Sequence, residues 1–553
     1  MNPLLLVDSY KIHHYPMYPE NTMQIYSNLT PRKSRIKGID KVVVFGIQHF
    51  VLEYLIKAFN REFFRNDVRD DYNPDFFPRN KYPSGLPLVT ERELKDPIIK
   101  KYKRHCNVDT KHIEALWNLG FLPIKIKALP EGSRCPIGVP LLTIQISDPV
   151  KYGEHFWIVN YLETLMSCML WQPITSATIA FEYKKLLTKY AKETDEKNLE
   201  FVNWQAHDFS MRGLSSPESA IISGMGHLLS FTGTDTIPAI YQVEESYGAS
   251  GLIGASVPAT EHSVMCMGTK EDELETFRRL MRLYPTGILS AVSDTWNLWY
   301  VITKILPALK SEIMARDGKL VIRPDSGIPE DIICGLDSNL DFKSSNKGSD
   351  RTPMQKGVIE LLWDIFGGTI NEQGYKVLDP HIGAIYGDSI TLERAEQICE
   401  RLKAKGFAST NIVFGVGSYT YQYNTRDTFG FAVKATYGEV KCNKCFETGE
   451  DQKNDIGYKK CSNCNGTGIE AREIFKDPIT DDGTKRSAKG LLKVEEIVTS
   501  DSLGKLHHST YRLIDQVSKD QEKEGALKTV FENGHLVRKT TLDEIRKRLQ
   551  QFI

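Results

Sequence analysis

The chain has 553 residues, 41% of them hydrophobic and 25% charged, the balance of a globular protein large enough for two or three packed units. Its 70 Lys and Arg face 71 Asp and Glu, a formal net charge of −1, and no long basic block occurs, which argues against a dedicated nucleic-acid binder. The opening stretch MNPLLLVDSYKIHHYP lacks a charged leader and its apolar run breaks at Asp8, so neither a signal peptide nor a spanning helix is expected, and a cytoplasmic location is.

Residues 1–195 read as an α+β domain. Two β-rich stretches, MQIYSNL (23–29) and FLPIKIKALPEGSRCPIGVPLLTIQIS (121–147), flank a polar, helix-like region from about 45 to 115.

From residue 196 to 435 one pattern recurs: a short apolar strand, a polar or glycine-rich end, then helical sequence. FVNWQAHDFSMRG ends at Asp208 and Arg212, LLSFTGTDT at Asp235, GASVPATEH at Glu261 and His262, and GILSAVSDT at Asp294. KLVIRPDSG ends at Arg323 and Asp325, HIGAIYGDS at Asp388, and NIVFGVGSY in a glycine turn. Between them, KEDELETFRRLMRLYP and TLERAEQICERLKAKG have the apolar spacing of amphipathic helices. Seven such units suit an irregular α/β barrel, with a doubly wound open sheet as the alternative. Either architecture puts the active site at the carboxyl ends of the strands. Any single polar strand end could be a cap or turn residue, but seven in step with seven strands are poorly explained that way. The polar run 336–356 is expected as a surface loop.

Glycine turns after the last two strands of a barrel commonly offer backbone N–H groups to phosphate, here in IYGDS and FGVGSY. Arg426 and Lys434 follow in TRDTFGFAVK, and Arg323 adds a planar fork suited to bidentate phosphate contact. The expected ligand carries several phosphates. Carboxylates at the same mouth suit Mg²⁺ beside a pyrophosphate, or sugar hydroxyls.

These residues fall into ordered motifs: DSYKIHHYPMYP (8–19), VFGIQHFVLEYL (44–55), IKALPEG (126–132), HDFSMRGLSS (207–216), FTGTDT (231–236), SVPATEHS (256–263), IRPDSG (322–327), GDS (387–389) and FKDPITDDGTKRS (475–487). In order and content the chain resembles the nicotinamide phosphoribosyltransferase family over nearly its full length. The resemblance implies a type II phosphoribosyltransferase barrel, with the segment 436–553 packing on the N-terminal domain. It implies a homodimeric pentosyltransferase that makes nicotinamide mononucleotide and pyrophosphate from nicotinamide and phosphoribosyl pyrophosphate with Mg²⁺, stimulated by ATP. Position by position, it implies Phe209 on one face of the nicotinamide ring and Tyr10 of a second copy on the other, with Asp8 of that copy lining the base pocket. Arg212 and Asp235 would contact the carboxamide, Asp235 favouring nicotinamide over nicotinate. Asp294 and Asp325 would address the ribose and its Mg²⁺-bound pyrophosphate. Arg323, Gly387, Asp388, Gly417 and Ser418 would hold ribose and phosphates, and Arg426, Lys434 and Lys485 would add charge, the first two across the dimer interface. His262 is the family's phosphorylatable histidine. Two places depart from the family pattern: Ser418 and Tyr419 stand where animal members carry glycines, and Met211 where they carry tyrosine.

The stretch 441–468, KCNKCFETGEDQKNDIGYKKCSNCNGTG, has no counterpart in that pattern. Cys442, Cys445, Cys461 and Cys464 give C-x₂-C-x₁₅-C-x₂-C, the spacing of a tetrahedral zinc site, and CSNCNGTG is similar to the knuckles of the DnaJ-type chaperone zinc domain. A structural zinc ribbon inserted at 440–470 is expected, its glycines allowing N–H groups to face the sulfurs. Two other readings stay open: a nicotinate-using relative, and a non-catalytic barrel protein acting through its ribbon.

Overall fold

Residues 1–66, 91–336, 351–445, 461–476, 488–500 and 506–553 are described by the computed structural model. They divide into two units, Met1–Thr175 with Arg426–Arg548, and Ser176–Thr425 with Leu549–Ile553. The middle of the expected loop 336–356, the first glycine turn of the insertion and Lys485 lie outside the described residues.

In the unit built on Ser176–Thr425, five parallel strands run side by side: Ala206–Asp208, Ile412–Val416, Ile382–Tyr386, Asp317–Arg323 and Thr286–Val292. Isolated parallel bridges, Asp208 to Thr234, Gly233 to Ala255 and Ala259 to Ser290, lead from one edge strand round to the other. All seven expected segments therefore belong to one curled parallel sheet, an irregular barrel and not an open doubly wound sheet. Two of the seven are reduced to bridges. In GASVPATEH the reason is local: Pro258 has no N–H, so it accepts from Ser290 N (2.9 Å) but cannot extend the ladder.

The strand Asp317–Arg323 shows what the barrel does to an apolar run. Leu320 and Ile322 are buried on one face, while Lys319, Val321 and Arg323, on the other, are only half-buried. Arg323 closes the strand and Pro324 follows it. The helices behind the sheet obey the expected periodicity. Glu273–Leu283 buries Glu273, Thr276, Phe277, Leu280 and Met281, and Leu392–Ala404 buries Ala395, Ile398, Cys399 and Leu402.

In the other unit the two ends of the chain share one antiparallel sheet. Its order is Ile469–Glu473, Ala432–Lys441, Thr22–Thr30, Leu142–Ile146, Ile124–Ala128, Lys528–Glu532 and His535–Leu536. This is the expected α+β domain assembled from N- and C-terminal segments. Tyr26, fully buried at its centre, donates its hydroxyl to Leu492 O (3.3 Å). No helix among the described residues is long and apolar enough to cross a membrane.

Candidate active site and metal centre

The strand Ala206–Asp208 delivers His207, Asp208 and then Phe209 to the carboxyl end of the sheet. Phe209 N donates to Val416 O (2.8 Å), which holds the ring beside the neighbouring strand end. His207 and Phe209 lie with ring centroids 4.7 Å apart, and the Arg323 guanidinium carbon sits 5.7 Å from the Phe209 centroid. Arg323 Nε is buried without a hydrogen-bond partner. An aromatic ring and a cation with one unused donor therefore lie side by side at the strand ends.

Asp235 comes from the segment after the helix Pro217–His227. Its Oδ1 pairs with His207 Nε2 (2.8 Å) and accepts from the Ser256 hydroxyl. Burial works against its charge, but the hydrogen bonds from His207 and Ser256, helped by the charges of His207 and Arg323, prevail and hold the carboxyl below its ordinary range. His207 and Ser256 carried no role in the sequence reading. Each stood inside a quoted motif, HDFSMRG and SVPATEHS, so the signal was present but not its partner.

Three carboxylates meet further along the mouth. Asp294 Oδ2 accepts from Asp325 N (2.9 Å) and from Ser326 Oγ (2.6 Å), so the turn after Arg323 is tied to the neighbouring strand end. Asp294 Oδ1 is buried with no hydrogen bond and lies 3.6 Å from Nε2 of the half-exposed His262. Burial raises the Asp325 pKa; Arg323 opposes the rise, while Asp294 and Asp388 add to it. Clustered, partly desolvated carboxylates of this kind suit a divalent cation.

The glycine turns have two physical reasons. At Gly387 a Cβ would stand 2.6 Å from Asp325 Oδ1, so a side chain there would displace the Asp325 carboxylate. At Gly417 an added Cβ meets nothing within 4 Å, leaving open backbone at the start of the short helix Ser418–Tyr421. Arg212 is exposed in the turn Met211–Gly213, and Gly213 packs against Ser418 so closely that a Cβ would be 2.8 Å from the Ser418 Cβ. Gly415 was not singled out from sequence. A Cβ there would come within 2.7 Å of the Phe209 ring and 2.9 Å of Gly387 Cα. Gly415→Ala is expected to cost about 1–3 kcal/mol of stability and, if Phe209 lines a substrate site, to raise KM, because Phe209 must move. Urea unfolding together with initial rates checks both effects.

The second unit holds the remaining candidates. Asp8 Oδ2 accepts from Thr164 Oγ1 (2.9 Å), and Tyr10 is exposed, with Lys11 Nζ 5.5 Å from its ring centroid. Lys11 itself is buried in an ion pair with Glu163. Arg426 is exposed beside Asp427 (3.3 Å). Lys434 has its pKa lowered by burial; Glu163 opposes this, and the like charges of Lys476, Arg32 and Lys11 reinforce it. Arg32 and Lys476 are thus cations that sequence reasoning missed, because strands far apart in the chain bring them to Lys434.

Cys442, Cys445, Cys461 and Cys464 are all buried, and their Sγ atoms lie within 4.8 Å of one another. The Cys442–Cys461 and Cys445–Cys464 sulfurs are 3.7 and 3.6 Å apart. A tetrahedron with metal–sulfur bonds of about 2.3 Å has edges of about 3.8 Å, so the four thiols could hold a metal ion. Gly468 N donates to Cys464 Sγ (3.2 Å), the turn expected after the second pair. The cluster closes the hairpin of Ala432–Lys441 and Ile469–Glu473, and Cys442 N donates to Gly468 O (2.8 Å) at its end.

Comparison with known proteins bears on the whole chain. Residues 204–465 match the model of the nicotinate phosphoribosyltransferase (NAPRTase) family, and residues 2–67 match that of the nicotinamide phosphoribosyltransferase N-terminal domain. A nicotinamide phosphoribosyltransferase of Acinetobacter baylyi is 48% identical, with 100% of this chain and 97% of the relative covered. One from Mycoplasma pneumoniae is 38% identical (78% and 88% covered), and one from Xanthomonas campestris is 30% identical (99% and 97%). Among solved structures, the nicotinate-nucleotide pyrophosphorylase of Pyrococcus furiosus matches with a TM-score of 0.50 and 14% identity over 100% of this chain and 95% of that one, a likeness of fold alone.

Proposed function

The chain belongs to the nicotinamide phosphoribosyltransferase family of pentosyltransferases, and on that premise we propose how its residues divide the reaction. Nicotinamide and phosphoribosyl pyrophosphate give nicotinamide mononucleotide and pyrophosphate, a step of NAD salvage. The bond that forms joins the pyridine nitrogen to the anomeric carbon. The bond that breaks joins that carbon to pyrophosphate, which leaves with the electron pair. The ring nitrogen already carries its lone pair, so no base is required, and positioning and charge stabilisation dominate.

The observation that carries this reading is the convergence of Phe209, Asp235 and Arg323 at one strand-end mouth. Phe209 stacks on the nicotinamide ring. Asp235, anionic and already using Oδ1, turns Oδ2 to the carboxamide NH₂, helped by Arg212. Arg323 grips phosphate, and Gly387, Asp388, Gly417 and Ser418 hold ribose and phosphates. Asp294, Asp325 and Asp388 would hold Mg²⁺, which supplies charge neutralisation to the departing pyrophosphate. The fit rests on the mutual repulsion of these carboxylates and on Asp294 Oδ1, which is buried and accepts no hydrogen bond. Two copies of the chain complete each site, one contributing Asp8, Tyr10, Arg426 and Lys434 to the other, while Lys485 adds further charge. ATP phosphorylates His262 and thereby favours product formation. The four-cysteine centre holds structural Zn²⁺, and the enzyme is placed in the cytoplasm.

The test supplies phosphoribosyl pyrophosphate and Mg²⁺ with nicotinamide or nicotinate in parallel, with and without ATP. Mononucleotide from nicotinamide, with an ATP-dependent gain lost in His262→Ala, is the expected result. Turnover of nicotinate alone would overturn the assignment of Asp235.

Asp235→Asn is expected to reduce the preference for nicotinamide over nicotinate about 10- to 100-fold in kcat/KM, because an amide no longer repels the nicotinate carboxylate. An unchanged ratio between the two bases would remove Asp235 from the selectivity mechanism.

A further inference from the structure

The turn that carries Gly387 and Asp388 has an unusual third residue. Ser389 has φ +49°, in the left-handed region that a residue with a side chain rarely enters. A turn of this kind persists only if its surroundings hold it there. The holding contacts are specific. Arg394, in the first turn of the helix Leu392–Ala404, donates Nη1 to Ser389 O (2.6 Å). Arg394 N in turn donates to the capping hydroxyl of Thr391 (3.2 Å), which fixes where the arginine starts. On the far side, Thr420 Oγ1 donates to Ile390 O (3.0 Å), and Ile390 is fully buried. Before the turn, Tyr386 OH donates to Gly327 O (3.1 Å), so the strand end leading into Gly387 is tied as well. Of these ties, only the one from Arg394 grips the carbonyl of the left-handed residue itself.

We infer that Arg394 is a positioning residue for the phosphoribosyl site: its hydrogen bond to Ser389 O holds the left-handed turn that sets Gly387 and Asp388 against Asp325. The inference rests on the reading of that site given above. Without the bond, Ser389 relaxes toward an ordinary backbone conformation. The peptide ahead of it rotates, and Asp388 leaves the carboxylate cluster. A glycine at 389 adopts positive φ without steric cost, so it lessens the need for the arginine. The pairing of a side chain that disfavours the turn with a cation that imposes it is the signature of the arrangement.

The experiment compares the full-length enzyme with Arg394→Met, Arg394→Lys and the double variant Arg394→Met/Ser389→Gly. KM for phosphoribosyl pyrophosphate, kcat and amide hydrogen exchange across residues 387–391 are measured for each. Arg394→Met is expected to raise that KM about tenfold, about 1.4 kcal/mol of binding, with a smaller change in kcat and faster exchange in the turn. Arg394→Lys, which keeps one donor, falls between it and the parent. The double variant recovers at least threefold of the lost KM. The inference is overturned if Arg394→Met leaves KM and exchange unchanged, or if glycine at 389 recovers neither. Should Arg394→Met not fold, the lysine variant alone decides by the same two readouts. Failure of the parent enzyme to turn over either base would instead defeat the functional reading, while exchange in the turn still decides the role of Arg394.

Discussion

Arg323→Ala is expected to lower kcat/KM for phosphoribosyl pyrophosphate by about 10²–10³, the loss seen when one donor to a developing anion is removed, about 2.7–4 kcal/mol. Three features point to an effect of this size. The guanidinium ends a strand whose alternate residues Leu320 and Ile322 are locked in the core, so its starting point cannot drift. Its Nε is buried and unpaired, so donor capacity is held in reserve for a ligand. It also counters the charge crowding at Asp325, whose pKa burial raises and Arg323 pulls back down.

The last point predicts a pH signature. A carboxyl whose folded pKa is raised costs stability as pH climbs from its unfolded value through its folded one, and the anionic form that the proposed role of Asp325 requires is lost on the acid side. Removing Arg323 raises the Asp325 pKa further. The acid limb of the pH–rate profile is therefore expected to move to higher pH in Arg323→Ala, and to stay in place in a neutral substitution remote from the mouth. Initial rates across pH, with unfolding measured in parallel, check both statements. A loss below about threefold, with an unmoved acid limb, would mean that the phosphates are held elsewhere.

The purified protein is expected to carry about one zinc per chain, and Cys461→Ser to carry almost none. Zinc held by four thiolates commonly contributes about 10–16 kcal/mol to the fold of a small motif at neutral pH, far above what the few local hydrogen bonds of this knuckle can replace. Cys461 is fully buried, and its Sγ is 3.7 Å from that of Cys442. Without the metal, four buried thiols would crowd together with only weak sulfur hydrogen bonds in its place. Loss is expected to spread along the hairpin that the cluster closes. Among the described residues Ile469–Glu473 is an edge strand, paired only with Ala432–Lys441 within the sheet. Amide exchange over 437–441 and 469–473 is expected to accelerate by at least 100-fold in Cys461→Ser, while Leu142–Ile146, two strands further in, stays protected. Metal analysis of the parent giving well under one zinc per chain would overturn the assignment. Protection unchanged by the substitution would make the metal incidental to the hairpin.

Much of this was legible in the chain. Polar residues stood at the ends of seven apolar segments. The helices at Glu273–Leu283 and Leu392–Ala404 kept a spacing of three and four that their burial reproduces. The cysteines kept the spacing that metal geometry demands, and ordered motifs carried a family resemblance that full-length relatives bear out. These are local facts: periodicity, turn chemistry and short spacings depend on residues within reach of one another along the backbone.

What the tertiary structure decided is non-local. His207 and Asp235 are 28 residues apart and become partners only because Asp208 and Thr234 are bridged in the curled sheet. Gly387 read as a phosphate turn, and the structure adds a constraint from Asp325, whose carboxylate a Cβ would push aside. Arg32, Lys434 and Lys476 meet because the first long strand of the chain pairs with one some four hundred residues later. Ser389 and Arg394 are close in sequence, yet a left-handed serine is invisible until the backbone is traced. A sequence states which chemistry each segment can bring. Which pieces of chemistry touch depends on closing a ring and interleaving two chain ends, and those contacts are set by packing across hundreds of residues.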